Sequence, residues 1–341
     1  MNIIAHNRPT LGIEEEQAAV RVIRSGWLAQ GKEVETFENE FCDFLGIPHG
    51  HAVAVSSGTA ALFLALWVLG AQGREVAFPV YACSALRNAV AMAGAYEMLL
   101  DTAPDSPNID VNVIAKRGAG IAIVPHMFGL PVDISVLNDV DIIEDCAQAI
   151  GASINGTSVG LKGKIGIFSF YVSKLITTGG QGGMVVSRDK QLSDAVRDYR
   201  QFDCRRDSNR RFNFQITDLH ASIGREQLLK LSGFLEKRNK LFMNYKNAGL
   251  DLLDIQPQDS NRIKPVRYRA VIKTQHPQRM IEALYEANVK SIVPIEDWEL
   301  LGDGRLYPNA YILTKSTVSL PLYPSLSDDE IESVLKGVFS I

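Results

Sequence analysis

Three segments well apart in the chain carry residues that can do chemistry together. Lys174 closes the run Phe168-Ser169-Phe170-Tyr171-Val172-Ser173-Lys174, and Thr177-Thr178-Gly179-Gly180-Gln181-Gly182-Gly183 follows at once. A strand-like aromatic run thus ends in a Ser-Lys pair, and the glycines let the backbone turn sharply and let another group come close. Desolvation lowers an amine's pKa, so a lysine placed there can lose its proton and attack a carbonyl. The plain alternative is a solvated surface lysine. Upstream, Val53-Ala54-Val55-Ser56-Ser57-Gly58-Thr59-Ala60-Ala61-Leu62 reads as a short strand stopping at Ser-Ser-Gly-Thr before an apolar helix. Small residues at a first helical turn leave N–H groups free, and with the helix dipole they bind a phosphate without a basic side chain. An ordinary N-cap is the competing reading. Between the two, Asp141-Ile142-Ile143-Glu144-Asp145-Cys146-Ala147-Gln148-Ala149 reads as a buried parallel strand with two carboxylates at its C-terminal end, the edge where ligands sit in open α/β sheets. Adjacent strand residues point to opposite faces, so only one of Glu144 and Asp145 can face a site. No His or carboxylate partner stands at metal-ligand spacing.

A phosphate cradle, a strand-end carboxylate and a strand-end lysine, in that order, meet the needs of pyridoxal 5'-phosphate. The phosphate wants a helix N-terminus, the pyridine nitrogen a carboxylate that keeps it protonated, and the aldehyde a lysine. A protonated ring is an electron sink, so Asp145 would take part in the chemistry as well as anchor the ring.

An α/β framework is needed to position these groups. Strand candidates fall near 51–56, 74–79, 95–100, 120–125, 140–144, 165–170 and 183–187, with helical patterns between most of them. That alternation predicts a mostly parallel, seven-stranded sheet covered on both faces. Residues 217–248 read as one long helix joining a large domain, 1–248, to a small C-terminal α/β domain, 249–341. In the latter a strand near 268–272, a helix after Pro277 and a closing helix over 328–338 are expected. A chain of 341 residues suits two such parts better than one domain of ~150 residues. With a net charge of −4 there is no sign of a nucleic-acid partner. The longest apolar run, 60–69, is about half of the ~20 residues that a membrane span needs. The opening residues lack the apolar core of a signal peptide, which points to the cytoplasm and to no membrane partner. Cys42, Cys83, Cys146 and Cys204 lie far apart and read as reduced, buried thiols.

Taken together, these segments resemble the DegT/DnrJ/StrS family of aminotransferases acting on nucleotide-linked keto-sugars, over nearly the whole chain. Ser25-Gly26-Trp27-Leu28 with Gly31, Val34, Phe37, Glu38 and Leu45-Gly46 is similar to the family's opening pattern. The segments around Ser57, Asp145 and Lys174 are similar to its phosphate turn, its Glu-Asp-Ala-Ala-Gln-Ala segment and its lysine segment. Phe212-Asn213-Phe214 with Asp218, Ala221 and Gln227-Leu228 resembles its Asn-Tyr-Arg segment, and Ser319-Leu320-Pro321-Leu322-Tyr323-Pro324-Ser325-Leu326 a signature near its end. Each match alone is weak; six in the correct order are specific.

The resemblance implies a type I aminotransferase fold and an amino group moved from an amino acid, glutamate or glutamine, to a keto-sugar. Lys174 would link to the cofactor's aldehyde and, once released, carry the proton. Asp145 would hold the pyridine nitrogen and Gln148 the ring's 3'-oxygen. Gly58, Thr59 and Ser169 would hold the phosphate, with Ser57 in the same turn. Asn213 would reach the cofactor phosphate of a neighbouring subunit, which implies a homodimer with shared sites. Some positions depart from the family. In Pro79-Val80-Tyr81-Ala82-Cys83-Ser84 the place of a ring-stacking aromatic falls to Cys83, leaving Tyr81 or something smaller to cover the ring. Gln215 stands where the family has Arg, and Gly180-Gln181 where it more often has one Glu. A nucleotide diphosphate would then draw on Arg205, Arg206, Arg210 and Arg211, unless these form a solvated loop. A sugar dehydratase of the same fold is a second outcome, against which the lysine argues; a cofactor-binding regulator without turnover is a third. His126 is expected in a loop near the site without a catalytic role.

Overall fold

The seven expected strand segments pair into one sheet. In the computed structural model, which describes residues 3–340, they are β1 (Ala52–Val55), β2 (Glu75–Pro79), β3 (Tyr96–Leu100), β4 (Ile121–Pro125), β5 (Asp141–Asp145) and, beyond a small hairpin of β6 (Ser153–Ile154) and β7 (Thr157–Ser158), β8 (Ile165–Ser169) and β9 (Gly183–Val186). The order across the sheet is β1-β9-β8-β5-β4-β2-β3. Strands β3, β2, β4, β5 and β8 are mutually parallel, whereas β9 runs antiparallel to both β1 and β8. Apolar side chains fill both faces: Val53 and Val55 pack into one cluster, Ala52 and Ala54 into another. The strands read as continuous apolar runs because neither face meets water.

Helices cover the two faces: α1 (Ile13–Ser25), α2 (Lys32–Leu45), α3 (Gly58–Val68), α4 (Ala85–Met92), α5 (Val111–Arg117), α6 (Lys190–Arg200) and α7 (Asp218–Asn247). Helix α3 is apolar all round, and residues 60–66 are all buried beneath the sheet. Helix α7 is the long helix expected from the pattern, with Thr217 as N-cap and Ala248 as C-cap. The Asp218 carboxylate in its first turn accepts from the N–H groups of Gly31 and Val34, at 2.7 and 3.1 Å, and so fixes α2 against α7.

After α7 come β10 (Ile263–Lys264), which extends the β6/β7 hairpin, β11 (Ala270–Lys273), α8 (Pro277–Glu286), α9 (Pro308–Ser316), β12 (Thr317–Leu320) and α10 (Asp328–Phe339). Strands β11 and β12 pair antiparallel. An apolar cluster of their own joins them to α8, α10 and the end of α7. The beginning of the chain reaches this cluster too, for Ile4 pairs with Val289. None of the helices among the described residues is long and apolar enough to cross a membrane.

The register explains why the chemistry-bearing segments meet. Val55, Gly183 and Ser169 lie side by side across β1, β9 and β8, and Asp145 lies beside Ile167. One edge of the sheet therefore gathers the start of α3, the end of β5 and the lysine-bearing turn.

Candidate active site

Two adjoining lobes form a cleft at this edge, an inner one of about 230 Å³ and an outer one of about 570 Å³. Ser57, Gly58, Thr59, Cys83, Asp145, Gln148, Ser169 and Lys174, all expected from the sequence, line the inner lobe. Its floor is the start of α3. The Ser57 hydroxyl accepts from Ala60 N at 3.1 Å and the Ser57 carbonyl from Ala61 N at 3.0 Å. That leaves the N–H groups of Gly58 and Thr59 as the free donors of the first turn. Close approach requires glycine at two places. A Cβ at Gly58 would lie 2.8 Å from Ser169 Cβ, and one at Gly183 would lie 2.4 Å from the Ser57 carbonyl oxygen. The result is a concave set of N–H donors at a helix N-terminus, which suits a phosphate.

Glu144 and Asp145 divide as their alternation requires. Glu144 faces away and is fully engaged: one oxygen meets His126 Nε2 at 3.1 Å and the other accepts from Lys162 N and Gly163 N at 2.8 and 2.7 Å. Burial opposes its ionisation, but the hydrogen bond from His126, with the backbone donors, holds its pKa below the ordinary value. Asp145 faces the inner lobe. Its Oδ1 accepts from Ala147 N at 2.9 Å, and Oδ2 takes no hydrogen bond among the described residues. Burial raises the Asp145 pKa, with the Ala147 N–H and the charge of Lys174 pulling the other way. A buried carboxylate in that state gains by meeting a cationic ring nitrogen.

His126 Nδ1 accepts from Val132 N at 3.0 Å, so Nε2 carries the proton that goes to Glu144. With both nitrogens used, the ring serves as wall; it lines the inner lobe and has no free acid–base atom. Gln148 Oε1 accepts from Phe128 N at 2.7 Å, which fixes the amide, and Nε2, held only by a long contact of 3.9 Å to Met127 Sδ, is a donor within the lobe. The lysine segment is tied down by Phe170 N to Gly182 O, Val172 N to Gly180 O and Lys174 N to Tyr171 O. Lys174 lines both lobes, with Nζ 5.4 Å from the centre of the Tyr268 ring.

The remaining residues singled out in the sequence lie in different surroundings. Tyr81 does not reach the cavity; it is fully buried, with its ring edge-on to Phe128 at 6.3 Å. Cys83 lies at the cavity wall instead. Asn213 lies outside its own chain's cleft, exposed, with its side-chain oxygen accepting from Gln215 N. Two of the four cysteines, Cys83 and Cys204, are exposed rather than buried. Arg205 and Arg211 pair with Asp198 and Asp207, so their charges are already balanced. Tyr268 and Arg269 line the outer lobe, and sequence reasoning missed them. They come from beyond α7, and no local pattern marks them.

The fold and the cleft define a type I enzyme of the pyridoxal phosphate class. A helix N-terminus crowded to glycine, a buried carboxylate with a free oxygen, an amide donor and a lysine fit that cofactor, in the places its phosphate, ring nitrogen, ring oxygen and aldehyde require. The chain belongs to the DegT/DnrJ/EryC1/StrS aminotransferase family, which it matches over residues 9–339. It is 29% identical to the dTDP-4-dehydro-2,3,6-trideoxy-D-glucose 4-aminotransferase of Saccharopolyspora spinosa, covering 96% of this chain and 94% of that protein. Similarity to the GDP-perosamine synthase of Vibrio cholerae is 28% identity over 96% and 95% of the two chains. Among solved structures, the aminotransferase TlmJ of Streptoalloteichus hindustanus superposes with a TM-score of 0.89 at 27% identity, over 99% of this chain and 98% of that one. S. venezuelae DesV, solved with a ketimine intermediate, gives 0.87 at 27% identity over 96% and 94%. The protein is a pyridoxal phosphate-dependent aminotransferase.

Proposed function

We propose that this aminotransferase moves an amino group from glutamate or glutamine to the keto group of a nucleotide-linked sugar, as a homodimer in which each site is completed by the partner. Bound in the inner lobe, pyridoxal phosphate supplies the electron sink that makes the donor's amino-bearing carbon acidic. The chain's own residues do the rest. Gly58 and Thr59 N–H groups and the Ser169 hydroxyl hold the phosphate, Asp145 holds the ring nitrogen protonated, and Gln148 Nε2 donates to the ring oxygen. Lys174 Nζ, once released, takes the proton from the donor carbon and returns it on the other side of the exchange.

The observation that carries this reading is the position of Lys174 on the wall shared by both lobes. One amine therefore meets the cofactor on one side and the substrate on the other. An outer lobe of about 570 Å³ lies within the ~300–1,000 Å³ of ordinary ligand sites. The named relatives work on dTDP- and GDP-linked sugars, which favours the same class here. Two features support the dimer: Asn213 lies away from its own cleft, and Ile23, Trp27, Leu28, Phe212 and Leu229 leave large apolar side chains exposed.

The test is to load the enzyme with the amine form of the cofactor and offer dTDP- and GDP-linked keto-sugars. The right sugar restores the visible band of the aldehyde form, and the aminated sugar appears by mass spectrometry. If simple keto acids restore the band and no nucleotide keto-sugar does, the sugar reading fails.

A further inference from the structure

The outer lobe holds two guanidinium groups and one carboxylate, and their pairings differ. Arg87 is held by both oxygens of Glu97, at 2.9 and 3.0 Å. Glu299 Oε2 accepts from Glu296 N at 2.9 Å. Arg269 has no carboxylate within ion-pair distance among the described residues. Among the described residues its only side-chain partners are His6 Nε2 and Ser319 Oγ, both at 3.2 Å and both neutral acceptors. His6 is held neutral, with its pKa pushed down to about 3 by burial and then by the charges of Arg269 and Lys290. A half-buried arginine at a cavity wall, backed only by neutral groups, carries an uncompensated positive charge toward the cavity.

The surrounding structure fixes where that charge sits. Arg269 Cζ lies 5.5 Å from the centre of the Tyr268 ring, and Lys174 Nζ lies 5.4 Å from the same centre. Tyr268 N donates to the Phe128 carbonyl at 3.3 Å, the residue whose own N–H orients Gln148. From below, the wholly buried Arg238 of α7 donates to the carbonyls of Arg267, Tyr268 and Leu322. This segment, pinned on two sides, holds an arginine without a carboxylate partner against the same tyrosine ring as Lys174, and both line the outer lobe.

We propose that Arg269 binds the α-carboxylate of the amino donor. The inference rests on the transamination reading above and adds how the donor is recognised. Chemistry selects the carboxylate over a sugar's diphosphate. In an amino acid the carboxylate is bonded to the very carbon whose proton Lys174 removes, so its partner must stand next to Lys174. In a nucleotide sugar the phosphates are a whole hexose ring away from a keto carbon at position 4. A guanidinium that leans on the same aromatic ring as Lys174 and lines the same lobe fits the first case, and its planar fork suits a carboxylate.

Arg269→Gln and Arg269→Lys test the proposal on the cofactor-loaded enzyme. In single-turnover experiments Arg269→Gln should raise the apparent donor constant by about 10- to 100-fold, the worth of one charge-assisted hydrogen bond. The maximal rate should change far less, Arg269→Lys should recover part of the loss, and the half-reaction with the keto-sugar should keep its constant within about threefold. Glutarate, a dicarboxylate without the amino group, provides a readout that needs no turnover: its dissociation constant by calorimetry should rise about tenfold or more in Arg269→Gln. Unchanged glutarate and donor constants overturn the proposal, as does an equal or larger loss on the keto-sugar side, which would assign Arg269 to the phosphates. Failure of the transamination reading looks different, because then the unmutated enzyme itself is not converted by any amino acid.

Discussion

Replacing Asp145 and Glu144 one at a time separates two carboxylates that are neighbours in sequence and opposite in duty. Asp145→Asn keeps the shape and the bond from Ala147 N but removes the charge that holds a proton on the cofactor's ring nitrogen. One charge-assisted hydrogen bond in a buried site is worth about 1.5–3 kcal/mol, so the donor half-reaction should slow at least tenfold, toward about a hundredfold. Thermal stability should hold or rise, because burial already disfavours the Asp145 charge before the cofactor arrives. Glu144→Gln should do the reverse. Both Glu144 oxygens accept, so whichever way the new amide turns it sets a donor against His126 Nε2–H or against the Lys162 and Gly163 N–H groups, and the ring cannot exchange its tautomer while Nδ1 accepts from Val132 N. A broken buried pair of this kind costs about 2–4 kcal/mol, read as a fall of several degrees in Tm, with the surviving folded enzyme reacting at a near-normal rate. Stopped-flow absorbance of the half-reaction and calorimetric unfolding of both variants decide the matter. A fast Asp145→Asn beside a stable but inert Glu144→Gln would refute the assignment of faces.

Three further outcomes follow from the same geometry. Gly58→Ala puts a Cβ 2.8 Å from Ser169 Cβ; overpacking of about 1–3 kcal/mol should weaken cofactor binding by tenfold or more, measured by fluorescence titration, and unaltered affinity would mean that the cradle is not a tight fit. His6, with its folded pKa near 3, binds fewer protons than in the unfolded chain, so it makes stability rise with pH between about 3 and 6.5 and be lost as pH falls through that window. Urea unfolding of His6→Gln should show a shallower pH slope there, and identical slopes would contradict the burial of a neutral ring. Mixed Lys174→Ala and Asn213→Ala subunits, once exchanged, should form hybrids with one intact site and regain activity; exchange without any recovery would remove Asn213 from a shared site.

Much of this arrangement was readable because each chemical group sits on one continuous segment with its own local logic. The sheet strands are buried on both faces and therefore appear as apolar runs, and a helix that opens with Ser-Gly-Thr shows its free N–H groups in its residue types. The choice of Asp145 over Glu144 rests on the resemblance alone. Alternation says that they diverge, but only the packing around β5, with His126, Lys162 and Gly163 taking Glu144 and the inner lobe meeting Asp145, says which way. Tyr81 enters only as a substitute for the ring-stacking aromatic that the resemblance expects and Cys83 replaces: β2 ends at Pro79, and in the bend that follows the Tyr81 ring turns inward against Phe128 while Cys83 meets the cavity. Tyr268 and Arg269 were invisible for another reason. They enter the cleft through the tertiary contact of Tyr268 with the Phe128 loop and the grip of Arg238 on their backbone, neither of which leaves a local pattern in the chain.

The central claim is that Lys174 is the amine that holds the cofactor. The most direct measurement is to reduce the cofactor-loaded enzyme with borohydride, digest it, and locate the reduced pyridoxyl group by peptide mass spectrometry. The account predicts a single adduct on Lys174, absent from Lys174→Ala although that variant still binds the cofactor through its phosphate and ring contacts. An adduct on any other lysine, or a Lys174→Ala protein that is still trapped to the same extent, would contradict it.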